Sequence, residues 1–374
     1  MSNPTVSSAT LVGLAIFALA AYALAERSVE PVHAAAYAKK LHAVGLMERA
    51  ERVIRDRKLA MGIAIDARND PDQTGVIGPQ FSLTTTDRGV QAAKALAAHP
   101  NFAAAVSQML LEAGVGKDDL VAVGMTGSLP GFNLAVLASC KAIGAEPIVI
   151  TSVGSSMFGS TDPELTWLDM ESLCVAAGLW PFHSVAASIG GGGDIGRGLS
   201  PAGRQILLDA IQRNHTILLD NPGLLESVKS RVALYDSVAA ARGKPIRAYV
   251  NVGGGVASLG GAQNARLIPP GLTRRLARRN YPKRGVINVY GDRRIPVIQL
   301  LDAEKLAHTY SIVDPETGAT SKPGKGLLFI RYRYKLWVVA AAVASVLFVN
   351  ALVLRLDLRH QLLGRPHPER RPNL

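Results

Sequence analysis

Cysteine is almost absent from this chain: two occur among 374 residues, Cys140 and Cys174. Both sit in apolar stretches at a spacing that matches no ligand motif. The sequence therefore supports neither a disulfide framework nor a thiolate metal centre, and it predicts two buried thiols. No zinc, haem or iron–sulfur pattern occurs, and neither a metal nor a cofactor is expected. Nucleotide fingerprints are missing as well: the turn after Val123 does not read G-x-G-x-x-G, and no G-K-[ST] follows a glycine cluster. Basic residues are missing from the first eight positions, where a secretory leader would carry them.

What the chain has is glycine, 36 residues of it, and an apolar fraction of 48%. That is enough for one sizeable core between two short ends. The net charge of +12 is spread unevenly, because residues 101–260 hold 13 acidic and 10 basic side chains. The excess lies in a run from Arg266 to Arg284 and in the C-terminal region. Within that run Arg274, Arg275, Arg278 and Arg279 are candidates for contact with a polyanion or with lipid head groups. Tyr281 is the only aromatic residue among them, which argues against single-stranded nucleic acid as a partner.

Two segments have membrane character. Residues 9–25 carry no charge over a length at the lower limit for a helical span, and residues 336–354 form a longer apolar stretch bounded by Arg331, Arg333, Lys335, Arg355 and Arg359. Ala23-Leu24-Ala25 has the form of a cleavage site, but without a basic leader the first segment reads as an uncleaved anchor. A two-span integral protein of the cell membrane is expected, with tails at residues 1–8 and 355–374, the latter basic. The distribution of Lys and Arg leans towards a cytoplasmic middle, although large domains cross membranes regardless of such counts.

Between the spans, residues 26–65 read as a helical stalk whose charged run, Glu48 to Lys58, forms a solvated face. Residues 66–330 read as an α/β domain. Its centre is the stretch from Asp119 to Ser156, which alternates strand, Gly-rich turn, apolar helix, strand and small-residue turn. Further strands are expected near 183–188, 216–220, 247–252, 285–290 and 296–301, and helices near 88–98 (capped by Thr86 or Asp87), 102–113, 166–178, 200–214 and 224–241. Alternation of this kind predicts an open, mainly parallel sheet covered by helices on both faces, a Rossmann-like arrangement.

Four strands run into conspicuous turns, Gly124 to Gly131, Ser152 to Pro163, Ser188 to Gly198 and Asn251 to Gly261. In such a sheet these turns converge at the C-terminal strand edge, where ligands bind. Backbone N–H groups at the start of the helix near Phe132 suit an anion. Candidate ligand-binding residues are Thr126, Gly127, Ser128, Ser155, Ser156, Asp162, Asp194, Asn251 and Gly253. Ser128 has two readings, as an anchoring hydroxyl for an anion or as a nucleophile. The second needs a base, from His183 or His215, oriented by Asp162, Asp169, Asp194 or Asp220. Thr84-Thr85-Thr86 either present hydroxyls to a ligand or serve turns and caps.

Several strings resemble the poly-gamma-glutamate system protein family of bacterial membrane proteins. They are Asp70-Pro71 with Thr74-Gly75-Val76-Ile77-Gly78; Thr84-Thr85-Thr86; Pro100-Asn101-Phe102-Ala103-Ala104; and Gly127-Ser128 with Pro130 and Asn133-Leu134-Ala135. Asp162-Pro163 leading to Thr166-Trp167-Leu168-Asp169-Met170-Glu171, and Asn251-Val252-Gly253-Gly254, complete the set. The resemblance implies a role in poly-γ-glutamate capsule or exopolymer synthesis or export, beside the ligase and membrane components of the synthase. The implied ligand is a polyanionic polymer or its precursor. The resemblance supplies no catalytic residues, so a binding component and an amide hydrolase or γ-glutamyl transferase using Ser128 both stay open.

Overall fold

The computed structural model describes residues 8–314 and 316–363. The predicted tail before residue 8 and the part of the basic tail after residue 363 lie outside the described residues. In chain order the first elements are α1 (Ser8–Glu26), β1 (Val29–His33), α2 (Tyr37–Ala60), β2 (Thr85–Asp87), α3 (Gln91–Ala97), α4 (Asn101–Glu112), β3 (Leu120–Thr126) and α5 (Pro130–Ile143). There follow β4 (Glu146–Ser152), β5 (Ser155–Ser156), α6 (Trp167–Ala176), β6 (Ser184–Ser188), α7 (Pro201–Arg213), β7 (Ile217–Leu218), α8 (Leu224–Ala241) and β8 (Ile246–Val252). The last are α9 (Val256–Leu259), α10 (Ala262–Leu267), β9 (Gly271–Thr273), α11 (Val286–Asp292), β10 (Val297–Leu300), α12 (Ala303–Thr309), β11 (Ile330–Tyr334) and α13 (Leu336–Leu363). They form two compact units, one of residues up to 33 and from 330 onwards, the other of residues 34–329.

In the first unit β1 and β11 pair antiparallel, from Val29 opposite Tyr334 to His33 opposite Ile330, and α1 packs on α13. Both helices are long and apolar enough to cross a membrane. The segments expected at 9–25 and 336–354 fall within them.

The second unit is an α/β domain on a seven-stranded sheet of order β7-β6-β4-β3-β8-β10-β9. All neighbours run parallel except β9, which is antiparallel to β10. From β3 the chain steps outward through β4 and β6 to β7, then returns to the other side of β3 for β8 and β10. The direction of travel reverses between β3 and β8. Every residue of β3 is buried, as a central parallel strand with helices over both faces requires.

Alternation along the strands divides the core. Leu120, Ala122, Ile148, Ile150 and Ala186 pack with Val228, Tyr235 and Ala239 of α8 and with Val286, Ile287 and Tyr290 of α11. On the opposite face Ala187 packs with Leu168 of α6 and with Leu207, Ala210 and Ile211 of α7. Helix α5 is buried almost all round, Lys141 excepted, because α2 and α4 cover its outer side.

That packing corrects the expected stalk. Helix α2 belongs to the domain and buries Ala43, Val44, Leu46, Met47 and Ile54. Its charged run is not wholly solvated either, since Glu51 and Lys58 are buried. The strand expected at 285–290 is helix α11 instead: Asn288 accepts from the Gly285 N–H at 2.9 Å and fastens a helical first turn, overriding the β propensity of Val286, Ile287 and Val289. Neither Thr86 nor Asp87 caps α3. Both belong to β2, which pairs with β5, and the helix begins after Val90. Ser200 does cap α7, accepting from the Gly203 N–H at 3.1 Å, with Pro201 at the first helical position.

Candidate functional site

β3 ends at Thr126, β4 at Ser152, β6 at Ser188, β8 at Val252 and β10 at Leu300. The loops beyond these ends enclose a cleft of about 580 Å³ at the point where the strand order reverses. All four Gly-rich turns contribute, through Thr126 and Ser128, Gly154 and Ser156, Gly191 and Gly192, and Gly254 and Gly255. The facing wall comes from β2, the loop after it and α3, through Thr86, Arg88 and Lys94. Helix α5 starts one residue past Leu129, a cleft residue, so the positive end of its dipole lies beside the cavity.

Lys94 is the strongest chemical feature of this wall. The residue is 6% exposed, and its Nζ donates to Ser156 Oγ at 2.7 Å and to the Ser128 carbonyl. No carboxylate pairs with it among the described residues, and burial lowers its pKa to about 7. Lys58, equally buried, is treated differently: it forms an ion pair with Asp162 at 2.9 Å and donates to the Ile77 carbonyl at 2.8 Å. Arg88 and Arg197 are exposed at the cleft and have no ion-pair partner among the described residues.

The nine candidate ligand residues separate. Thr126, Ser128, Ser156 and Asp194 line the cleft, and Gly127, Ser155, Asp162, Asn251 and Gly253 do not. The Ser155 hydroxyl is spent on the Gly127 carbonyl at 2.9 Å. Asp162 is held by Lys58, off the cleft, in an ion pair outside hydrogen-bond geometry. Asn251 is buried and donates to Gly253 O at 2.8 Å and Gln299 Oε1 at 2.7 Å. Gly253 has φ +83°, and a Cβ there would sit 2.3 Å from Thr126 Oγ1, so glycine is what lets the β8 turn approach β3.

Asp194 lies at the cleft but its carboxylate is already engaged. It pairs with buried Arg231 at 3.0 Å and accepts from Ser152 and Ser188 at 2.8 Å each and from Ser227 at 2.5 Å. Burial raises its pKa, and the guanidinium with the three hydroxyls outweighs that and holds the carboxyl below the usual range. It is the anchor that folds the loop from Gly190 to Gly198 over the sheet edge, in a left-handed conformation at φ +64°.

The nucleophile reading of Ser128 loses its base. His183 and His215 are exposed and stand just before β6 and β7, at the N-terminal edge of the sheet, whereas the cleft lies at the C-terminal edge. Ser128 Oγ instead accepts from the Ser156 N–H at 3.0 Å. Of the proposed orienting carboxylates, Asp169 caps α6 through Thr166 and binds Arg213, and Asp220 is exposed after β7. The hydroxyls of the threonine cluster are engaged within the fold: Thr84 donates to the Thr161 carbonyl at 3.0 Å, Thr85 accepts from the Ser82 N–H at 2.9 Å, and Thr86, which also lines the cleft, donates to the Ser155 carbonyl at 3.1 Å.

Arg274, Arg275, Arg278 and Arg279 are exposed, outside the cleft lining and without ion pairs among the described residues. Cys140 and Cys174 are free and buried, and burial pushes the Cys140 thiol up to about 12. Among the described residues no three His, Cys, Asp or Glu side chains converge as a metal site would require.

Sequence reasoning missed Lys94, Arg88 and Arg197. The signal for Lys94 was present: it is the lone charge in the otherwise alanine- and leucine-rich stretch Gln91–Ala97. Comparison with protein families, curated proteins and solved structures finds no match to this chain.

Proposed function

We propose that this chain is a two-span membrane component of a poly-γ-glutamate synthesis or export system, with a Rossmann-like domain that binds an anionic ligand in the strand-end cleft. The observation that carries the binding role is Lys94, a buried amine without a counter-charge among the described residues, flanked at the cleft by the unpaired Arg88 and Arg197. A carboxylate entering there would meet the guanidinium groups of Arg88 and Arg197, the donor hydrogens of Lys94 and the positive end of α5. The pathway rests on the sequence resemblance, with the synthase ligase and membrane subunits as partners and the domain on the cytoplasmic side.

The test is poly-γ-glutamate binding to the full chain in zwitterionic nanodiscs. Binding should weaken with salt and fall by about 10-fold or more in Arg88→Gln/Arg197→Gln, the loss expected for two charge-assisted contacts. No binding, or binding indifferent to both substitutions, would sink the proposal. The alternative, an amide hydrolase or γ-glutamyl transferase, is favoured by the contact between Lys94 and Ser156 and by nothing at Ser128.

A further inference from the structure

We propose that Ser156 and Lys94 form a serine–lysine dyad that cleaves or transfers an amide bond of an anionic substrate, with Ser156 Oγ as nucleophile and Lys94 Nζ as the proton carrier. This rests on the cleft being the ligand site, and the test below separates the two. Ser156 Oγ lies 2.7 Å from Lys94 Nζ, is partly exposed and lines the cleft. Its backbone is fixed twice: β5 pairs Ser156 with Asp87 of β2, and the Ser156 N–H donates to Ser128 Oγ at 3.0 Å. Lys94 is held by a second contact, to the Ser128 carbonyl. Both reacting groups are thus oriented through Ser128, which is a positioning residue in this arrangement.

A lysine serves as a base only when neutral, and a buried amine with no counter-charge is held towards that state. Burial accounts for the lowered pKa of Lys94, and no neighbouring charge contributes. The charged groups around it are Asp87, Arg88 and Arg197 at the cleft, Asp194 paired with Arg231, and exposed Glu304, Lys305 and His308 on α12, which packs against α3. In the structure Nζ donates this 2.7 Å contact to Ser156 Oγ; once the amine is neutral its lone pair can accept instead, and the same pair of atoms then carries the Ser156 hydroxyl proton towards Nζ.

The step balances without a further reagent beyond water or an amine. Ser156 Oγ attacks the amide carbonyl carbon and its proton passes to Lys94 Nζ. Collapse of the tetrahedral adduct breaks the C–N bond, and Lys94 returns the proton to the departing amine, leaving an acyl ester on Ser156. Water, or a second amine, then attacks the ester and gives its proton through Lys94 back to Ser156 Oγ. With water the outcome is hydrolysis; with an amine it is transfer. Arg88 and Arg197 suit a carboxylate on the acyl side, as in a γ-glutamyl amide.

The experiment treats the full chain in nanodiscs with an alkyl fluorophosphonate and, separately, with poly-γ-glutamate, and maps adducts by peptide mass spectrometry. Wild type should be labelled at Ser156 at a rate that rises with pH through about 7. Ser156→Ala should take no label, and Lys94→Arg, which keeps hydrogen-bond donors but cannot act as a base, should slow labelling by about 100-fold or more and flatten the pH profile. Ser128→Ala should slow labelling at Ser156 without moving the label. Lys94→Met with unchanged labelling, or wild type with no label at Ser156, overturns the dyad. If polymer still binds in that case, the binding role stands alone. If Ser156 is labelled but poly-γ-glutamate neither binds nor shortens, the dyad stands and the pathway assignment falls.

Discussion

Arg231 and Asp194 meet 3.0 Å apart beneath the cleft, each almost wholly buried, and the hydroxyls of Ser152, Ser188 and Ser227 complete the network around them. A buried pair of this kind contributes less to stability than its contact suggests, because both ions lose their hydration. Removing one partner is a different matter, since it strands the other charge.

Asp194→Asn should therefore destabilise the domain by about 3–5 kcal/mol. Chemical unfolding of the full chain in detergent, followed through the buried Trp167 and Trp180, would measure it. Replacing both partners, Asp194→Leu with Arg231→Met, should recover much of the loss. If Asp194→Asn kept its stability and lost ligand binding, the carboxylate would be a ligand group and not the loop anchor.

Gly253 and Gly254 are adjacent and should respond in opposite ways. Gly253→Ala places a Cβ at φ +83° and 2.3 Å from Thr126 Oγ1, while a Cβ added at Gly254 would meet nothing within 4 Å. The first should cost about 1–3 kcal/mol and disturb the end of β3, the second close to nothing. Equal melting temperatures for the two variants would refute the close approach of the β8 turn to β3.

Glu171 supplies a pH dependence. Burial raises its carboxyl to about 7, against the lowering effect of the N–H and hydroxyl that Ser184 donates to it. Between its ordinary value near 4.5 and about 7 the folded chain holds a proton that the unfolded chain releases. Stability from this group thus falls as pH rises across that window, by about 3 kcal/mol in total. Glu171→Gln should remove this part of the profile, leaving the variant closer to or above wild type at pH 8 than at pH 5. An unchanged difference between the two pH values would show that Glu171 is already ionised at pH 5.

The arginines outside the cleft can be tested apart from it. Changing Arg274, Arg275, Arg278 and Arg279 to Gln should weaken poly-γ-glutamate binding and reduce its salt dependence, while fluorophosphonate labelling at Ser156 stays as in wild type. Unchanged polymer binding would assign the run to lipid head groups instead.

Amino-acid order alone determined the alternation of strands and helices up to β8, with the segment at 285–290 read wrongly as a strand, and it determined the two apolar terminal helices and the convergence of four Gly-rich turns on one sheet edge. Those follow from local periodicity and from the geometry of parallel sheets, in which every strand end of the same sense lies on the same side. Side-chain partners were decided elsewhere. Asp162 and Asp194 read as candidate ligand groups until the fold brings Lys58 from α2 and Arg231 from α8 to them, across 104 and 37 positions of sequence respectively. Lys94 reads as one charge on a short helix, and only the pairing of β2 with β5 sets its amine against Ser156, 62 residues on. The strand edge was legible because backbone pattern is local; the chemistry at that edge was not, because desolvation and counter-charge belong to groups far apart in the chain, and tertiary packing alone decides which of them meet.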